Sequence, residues 1–383
     1  MSARAQHLLT LGQSVWLDFI RRGHLLDGGF DRDVREGGVV GVTSNPTIFQ
    51  QAIAGSADYD QALAEGIARG LSGESLFESM AIVDIRMACD RLRPLYDASH
   101  GMDGRVSLEV SPRLARDTAG TAAAAKRLHA EVARPNLMIK IPATREGLPA
   151  ITETIAAGIS VNVTLIFTVE RHREVMDAWL TGLERLVAAG GDASSVRSVA
   201  SFFVSRVDNK VDAAIEARLA TLPAGATERA ELEGLRGKAA VANARLAYEA
   251  YEAMLATPRW QALAARGAHP QRPLWASTST KNPAYRDVIY VEELIGPDTV
   301  NTIPPATLVA FNDHGVVASR IKHDVPGAHA VFARLTALGV PVTTLIEQLE
   351  PEGVKAFEKS FEDLLATLET RRAAMASQGG PSR

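Results

Sequence analysis

The chain has 383 residues, of which 46% are hydrophobic, and its formal net charge at pH 7 is -4. This length and apolar content predict one large globular domain or two modest ones, and the acidic balance gives no basic surface for nucleic acid. No run of about 18 apolar residues predicts a membrane span. The N-terminal residues lack the features of a secretory signal, and a single cysteine, Cys89, excludes an intramolecular disulfide. We therefore expect a cytoplasmic protein.

Eight short apolar segments that contain β-branched residues recur along the chain and are predicted to be strands. Helix-like patterns separate them, and this alternation is typical of parallel strands joined by helical crossovers. Eight such units predict an α/β fold of the (β/α)8 TIM barrel type. An open doubly wound sheet is the alternative, but no glycine-rich fingerprint follows any predicted strand. The predicted strands span residues 14–20, 38–45, 105–111, 136–142, 160–167, 198–205, 273–280 and 298–304.

The long connections predict extra helices inserted into the barrel. Residues 46–104 contain helix-like patterns, and residues 207–270, rich in Ala, Arg and Glu, predict two or three more helices. Residues 305–372 are predicted to form a helical C-terminal extension that caps the barrel. We interpret residues 1–372 as a single domain and expect residues 373–383 to form a disordered tail.

The predicted strand "NLMIKIP" at residues 136–142 carries a lysine, Lys140, in its middle. Side chains alternate between the two faces of a strand, so Ile139 and Ile141 would pack on the helices while Lys140 points into the barrel. Barrel interiors are normally apolar, so inward polar residues near the C-terminal strand ends predict an active site at the barrel mouth. The same alternation on the other strands predicts the inward polar set Asp18, Thr43, Asn45, Glu109, Lys140, Asn162, Thr164, Ser201 and Ser277.

This polar set allows other interpretations. An internally satisfied polar core with a Lys140–Glu109 ion pair is one, although buried ion pairs stabilise folds weakly. No His or Cys lies among the inward positions, so a metal site of the zinc type is not predicted. The two carboxylates Asp18 and Glu109 alone would suit a glycosidase, but the inward lysine does not fit that chemistry.

A lysine between carboxyl groups suits Schiff-base chemistry. Burial disfavours the charged form of a lysine, and a neutral amine attacks a carbonyl group to form an imine. The iminium then withdraws electrons and allows a C–C bond next to a carbinol to break. Asp18 and Glu109 supply the acid and base for the proton transfers, and the Asn, Thr and Ser side chains can bind sugar hydroxyls. The sequence therefore predicts Lys140 as the nucleophile.

The segments that carry these residues resemble the successive motifs of the transaldolase family. They read "GVTSNPTIF", "SLEVSPRLARDT", "LMIKIPATREGLPAI", "SVNVTLIF" and "SFFVSRVDNKVD", and they occur in family order within residues 14–311. Two further segments, "LWASTSTKNPAYRD" and "DTVNTIPPATL", resemble the longer bacterial type. The resemblance implies transfer of a three-carbon dihydroxyacetone unit between sugar phosphates in the non-oxidative pentose phosphate pathway, with no metal or organic cofactor. The implied reaction converts sedoheptulose 7-phosphate and glyceraldehyde 3-phosphate to erythrose 4-phosphate and fructose 6-phosphate.

The resemblance also implies roles for individual residues. Lys140 matches the Schiff-base lysine, Asp18 the acid/base aspartate, and Glu109 the glutamate that positions a water together with Thr164. This chain has Ser279 where many transaldolases have an arginine, so we expect Lys281 and Ser277 to contribute to phosphate binding instead. The remaining matched positions are Thr43, Asn45, Asn162 and Ser201 for the donor sugar and Arg206 for a phosphate.

Two rival functions fit the same sequence. A lyase related to fructose-6-phosphate aldolase would release dihydroxyacetone to water, but such relatives are much shorter. A non-catalytic sugar-phosphate binding barrel would keep the pocket, yet every expected catalytic position is filled. We expect phosphorylated sugars as partners and neither nucleic acid nor a membrane, and the sequence leaves a homo-oligomer open.

Overall fold

A computed structural model of the chain describes residues 3–378, with side chains up to residue 375. Eight parallel strands pair in chain order, and the eighth pairs with the first, so the sheet closes into a barrel. This confirms the (β/α)8 prediction, and the doubly wound alternative was wrong because the sheet has no open edge. The strands are β1 (Gln13–Leu17), β2 (Gly41–Val42), β3 (Arg105–Glu109), β4 (Leu137–Pro142), β5 (Val161–Ile166), β6 (Ser198–Phe203), β7 (Arg272–Ala276) and β8 (Thr299–Ile303).

Each strand overlaps its predicted segment, but several end earlier than predicted. Asp18 and Thr43 directly follow β1 and β2 rather than lying within them. The backbone N–H of each still donates to the neighbouring strand, Asp18 to the Ile303 carbonyl and Thr43 to the Leu17 carbonyl, both at 3.0 Å. The ladder therefore positions the first residue beyond the strand, at the barrel mouth.

Helices surround the barrel and fill the long connections, as predicted. The connection after β2 contains α4–α6, the connection after β6 contains α10–α13, and the C-terminal extension contains α15–α18. The helices are α1 (Arg4–Leu8), α2 (Arg22–Leu26), α3 (Gly29–Arg35), α4 (Pro46–Ala54), α5 (Asp60–Ala68), α6 (Gly73–Ala98), α7 (Thr118–Val132), α8 (Gly147–Ala156), α9 (Val169–Ala188), α10 (Ser205–Thr221), α11 (Glu228–Leu235), α12 (Ala239–Leu255), α13 (Pro258–Ala264), α14 (Ile289–Glu292), α15 (Pro305–His314), α16 (Val325–Ala337), α17 (Val342–Glu347) and α18 (Leu349–Gln378).

The last helix extends past the predicted domain boundary at residue 372 and ends at Gln378, within the predicted tail. The remainder of that tail, residues 379–383, lies outside the described residues. In the described part of the chain, no single helix is both long and apolar enough to cross a membrane. The segments Val325–Ala337 and Val342–Met375 meet that criterion only when taken together, and the chain bends by 102° between them.

A histidine is buried between the barrel and its helices. His172 on α9 is fully buried, and its ring meets the ring of Phe202 on β6 edge-on, with 5.8 Å between the centroids. Burial lowers the pKa of His172 to about 4, because the apolar surroundings disfavour the imidazolium. The folded protein therefore keeps this ring neutral at pH values where the unfolded chain protonates it.

We expect His172 to make the fold sensitive to acid. An unfolded histidine has a pKa of about 6.5, so between pH 6.5 and pH 4 the unfolded chain binds more protons and stability falls as pH falls. From pH 6.5 to pH 4.5 the loss should be about 2–3 kcal/mol, and His172→Met should remove it. Urea unfolding at both pH values measures this, with the exposed His323→Met as a control. Equal pH dependence in the His172 variant and the unmodified chain would contradict the assignment.

Candidate active site

A cavity of about 490 Å³ opens at the C-terminal mouth of the barrel, a size suited to a small-molecule ligand. Its wall is formed by residues at the ends of several strands and by the starts of the following helices. Polar side chains that the sequence predicted to point inward therefore meet in one place. The predicted residues that line it are Asp18, Thr43, Asn45, Lys140, Thr164, Ser201, Arg206, Ser277 and Lys281.

Strand register places the lysine between two polar neighbours. Lys140 on β4 lies opposite Glu109 on β3 and opposite Asn162 on β5. The Lys140 ammonium is 3.0 Å from Oε2 of Glu109 and donates a 3.1 Å hydrogen bond to the carbonyl of Ser44. Only 4% of Lys140 is exposed, yet the side chain forms part of the cavity wall. The predicted ion pair is thus present, but it faces a cavity rather than a closed core.

Glu109 and Asn162 do not line the cavity themselves. Glu109 reaches it through the Lys140 ammonium, and Asn162 lies fully buried beside Lys140. The Asn162 amide donates to Oγ of Ser107 at 3.0 Å, and its Oδ1 accepts a 2.7 Å hydrogen bond from Ser201 Oγ. These bonds hold Ser201, which does line the cavity, in a defined orientation.

Asp18 is held at the mouth by threonines from neighbouring strands. Thr43 Oγ1 donates to Asp18 Oδ1 at 2.8 Å. The same Thr43 oxygen lies 2.5 Å from Oγ1 of Thr302, which is on β8. Burial raises the pKa of Asp18, and the Lys140 charge and the Thr43 hydrogen bond oppose part of that rise. This carboxyl group accepts a proton more readily than an exposed aspartate does.

The pKa of the second carboxyl group, that of Glu109, is set by the same opposing effects. Burial raises the pKa of Glu109, the Lys140 ammonium and its hydrogen bond lower it, and the nearby Asp18 charge raises it further. Two buried carboxyl groups therefore compete for one cation. Such a cluster exchanges protons easily, which is the property expected of acid and base groups at an active site.

Thr164 offers a hydroxyl group that the protein leaves open. Its Oγ1 is buried at the cavity and has no hydrogen-bond partner among the residues whose side chains are described. The next residue, Leu165, has a positive φ of 60°, and the pairing of β5 with β6 is irregular here. A ligand or a water in the cavity can therefore accept or donate a hydrogen bond at Thr164.

Ser277 lines the cavity as predicted, but strand alternation is not the reason for its direction. Trp275 packs on the outward ring of Phe202, so the inward residue of β7 is Ala276. Ser277 follows the strand with a positive φ of 56°, and this left-handed conformation turns it into the cavity wall. Its Oγ lies 2.9 Å from Oγ of Ser205, and its carbonyl accepts from the Ser205 backbone N–H.

Two cations lie at the rim after neighbouring strands. Arg206 is the second residue of α10, and its guanidinium stacks 5.3 Å from the ring centroid of Phe203. Burial lowers the pKa of Arg206, and no carboxylate lies within 4.0 Å of it in the described part of the chain. Lys281 is exposed on the loop after β7, close to Ser279. This rim is suited to an anionic group.

Asn45 combines a structural role with a place in the cavity wall. Its Oδ1 accepts a 2.9 Å hydrogen bond from the Ile48 backbone and caps α4, which begins at Pro46. The oxygen is therefore engaged, and the amide N–H groups remain for a ligand.

Several cavity residues were missed by the sequence reasoning. Thr302 is detectable by alternation along β8, because it follows Val300 at a spacing of two. Phe203 on β6 shares the face of Ser201 and is detectable in the same way. Phe357 belongs to α18, far along the chain, and no local pattern identifies it. Between residues 3 and 375, no three His, Cys, Asp or Glu side chains are grouped so that they could bind a metal ion.

Comparison with known proteins agrees with this geometry. A family model described as transaldolase/fructose-6-phosphate aldolase matches residues 15–368. A transaldolase of Parafrankia sp. is 55% identical over 98% of this chain and 100% of its own length, and one of Thermobifida fusca is 52% identical over the same shares. Transaldolase 1 of Streptomyces coelicolor is 54% identical over 95% of this chain and 93% of its own. The chain therefore belongs to the transaldolase/fructose-6-phosphate aldolase family.

Proposed function

We propose that the protein is a transaldolase that moves a three-carbon dihydroxyacetone unit between sugar phosphates in the non-oxidative pentose phosphate pathway. One observation carries this proposal: the amine of Lys140 lies in the wall of a cavity, within 3.0 Å of the Glu109 carboxylate. The donor is sedoheptulose 7-phosphate or fructose 6-phosphate, and the acceptor is an aldose phosphate. The enzyme is cytoplasmic, which its one buried, unpaired cysteine, Cys89, supports, and it acts without a metal or an organic cofactor.

The reaction begins at the ketose carbonyl. The neutral amine of Lys140 attacks C2 and forms a carbinolamine, which loses water to give an iminium. Glu109 and the open hydroxyl of Thr164 position the water that enters and leaves at this step. Glu109 lies against the lysine nitrogen, so its carboxyl group exchanges protons with the developing intermediate.

Asp18 then serves as the base for bond cleavage. It takes the proton of the C4 hydroxyl group, the C3–C4 bond breaks, and its electrons pass to the iminium nitrogen to form an enamine. The aldose phosphate leaves, and the acceptor aldose takes its place. Enamine C3 attacks the aldehyde carbon while Asp18 returns its proton to the new hydroxyl group, and hydrolysis frees the product from Lys140. The raised pKa of Asp18 suits a group that must hold a proton between the two halves of the reaction.

The remaining residues hold the sugar. Hydroxyl groups of the three-carbon unit bind Thr43, the free amide of Asn45, and the Ser201 hydroxyl held by Asn162. The phosphate binds at the rim, to Arg206, Lys281 and Ser277. Arg206 has no acidic neighbour within salt-bridge distance in the described residues, so its charge is available to an anion.

Borohydride reduction in the presence of fructose 6-phosphate should fix a three-carbon adduct on Lys140. Peptide mass spectrometry identifies the modified lysine, and Lys140→Arg should abolish turnover because a guanidinium stays protonated and forms no imine. Without an acceptor little dihydroxyacetone should be released, whereas erythrose 4-phosphate should receive it. An adduct on the exposed Lys126 or on Lys281 would contradict the assignment, and rapid release of free dihydroxyacetone would indicate a lyase.

Asp18→Asn should still form the imine between Lys140 and the intact ketose but cleave the C3–C4 bond slowly. The amide keeps the shape of the carboxyl group, yet it cannot accept the C4 hydroxyl proton, and loss of a general base typically lowers the rate about 10²–10⁴-fold. Single-turnover kinetics separate adduct formation from release of the aldose phosphate. Near-normal cleavage in this variant would move the base role to another group, Glu109 first.

Arg206→Ala should weaken the use of phosphorylated substrates in particular. Hydrogen bonds to charged groups contribute about 1.5–3 kcal/mol, so kcat/KM for fructose 6-phosphate should fall roughly 10–150-fold. Lys281→Ala should cost less, because a lysine gives one charged contact where an arginine can give two. The comparison is kcat/KM for fructose 6-phosphate and for free fructose in both variants. Equal losses on the two sugars would show that these residues support the fold or the chemistry and do not bind the phosphate.

A further inference from the structure

An aromatic ring from the C-terminal helix covers the lysine nitrogen. Phe357 on α18 is 4% exposed and forms part of the cavity wall, and Lys140 Nζ lies 5.8 Å from the centroid of its ring. The nitrogen thus has Glu109 and the Ser44 carbonyl as polar neighbours and the Phe357 ring as an apolar one. An aromatic face tolerates a cation at this distance, so the ring can lie against the ammonium and against an iminium.

The part of α18 that precedes Phe357 in the chain is fixed to the barrel and its helices. Glu350 forms an ion pair with Arg171 on α9, with 3.1 Å between Oε2 and Nε, and Glu352 forms an ion pair with Lys210 on α10. Gly353, one turn before Phe357, lies against Leu165 of β5, since an added Cβ would come within 3.0 Å of a Leu165 methyl group. The helix therefore approaches the end of β5 closely at this glycine.

The turn of α18 that follows Phe357 is fixed by contacts with α4 and α6. Thr47 on α4 donates a 2.8 Å hydrogen bond to Oγ of Ser360, and the Phe361 ring meets Phe77 of α6 edge-on, with 5.6 Å between centroids. Phe357 lies between these two anchored turns. Its ring is therefore held over Lys140 by contacts that do not involve the substrate.

We propose that Phe357 controls how the dihydroxyacetone intermediate divides between the acceptor and water. This inference rests on the proposed function and adds a residue to it. The intermediate leaves by two routes. In transfer, enamine C3 forms a bond to the acceptor carbonyl carbon. In hydrolysis, C3 takes the proton that Asp18 holds after cleavage, water adds to C2 of the iminium, the C2–Nζ bond breaks, and free dihydroxyacetone and the Lys140 amine result.

The ring acts on the second route because it occupies space beside Lys140 Nζ that further water would otherwise fill, in addition to the water held by Glu109 and Thr164. Excluding water from a closed site suppresses hydrolysis of reactive intermediates. The product ketose is also released by hydrolysis, so the ring slows this step without preventing it. At the branch, however, slower hydrolysis gives the acceptor more time to bind. The ratio of released to transferred dihydroxyacetone therefore reports on Phe357.

The test measures that ratio in the full-length protein with fructose 6-phosphate as donor and erythrose 4-phosphate as acceptor. Phe357→Ala should raise it roughly 10-fold, equivalent to about 1.4 kcal/mol between the two barriers. Phe357→Leu, which still covers part of the nitrogen, should give an intermediate value and carries the test if the alanine variant does not fold. A ratio does not depend on the amount of folded enzyme, so general loss of stability leaves it unchanged.

The matched controls are Phe361→Ala and Phe361→Leu. Phe361 is on the same helix and is 1% exposed, but it packs on Phe77 and does not line the cavity. These variants should keep the ratio of the unmodified enzyme. An unchanged ratio in the Phe357 variants, or an equal rise in the Phe361 variants, would overturn the inference. Failure of the proposed function itself would appear in the unmodified protein, either as no Lys140 adduct or as rapid release of free dihydroxyacetone without transfer to the acceptor.

Discussion

The buried contact between Lys140 and Glu109 is the interaction on which the rest of the site depends. A closed barrel forces every second side chain of a strand into its interior, and at this level β3 and β4 present a carboxylate beside a lysine. Burying two opposite charges costs several kcal/mol per ion unless they are well paired. The pair is present although apolar residues would often fill such a space at lower cost, which supports the proposed functional role of this position.

The Lys140 charge also partly offsets the cost of burying a second carboxylate, that of Asp18. Burial raises the pKa of both Asp18 and Glu109, and the Lys140 charge opposes both shifts. When the lysine becomes a neutral amine, each carboxyl group loses that compensation and binds a proton more readily. Proton uptake by the acids is thus coupled physically to the nucleophilic form of the amine. In the proposed mechanism, one cation shared between two carboxyl groups would therefore link the covalent step to the acid/base steps.

The residues of the site are positioned in two ways. Lys140, Glu109 and Thr164 lie on strands, where a slip of one residue would reverse their direction, so ladder hydrogen bonds fix their positions. Arg206 and Ser277 lie just beyond strands, where helix starts and left-handed residues determine direction. The C-terminal helix completes the cavity from above. Its ion pairs and its close approach at a glycine hold the Phe357 ring beside the Lys140 nitrogen.

Sequence alone determined the features that depend on local repetition. Eight strand–helix units predicted the closed parallel barrel, and a period of two predicted that Asp18, Glu109, Lys140, Asn162 and Thr164 face inward. Family motifs, which are ordered runs of residues, predicted the family to which the chain belongs. These inferences succeeded because strand direction and alternation follow from backbone geometry, which neighbouring residues define.

Tertiary structure decided what depends on contacts between distant segments. The direction of Ser277 required a positive φ that no local pattern indicated, and Phe357 reaches Lys140 only because ion pairs and packing place α18 across the barrel mouth. The separation of Asn162 from the cavity wall also follows from its hydrogen bonds to two other strands. A sequence specifies which face a strand residue occupies. The depth of that residue, and what covers it, are set by side chains that lie far away along the chain and meet only when the fold closes.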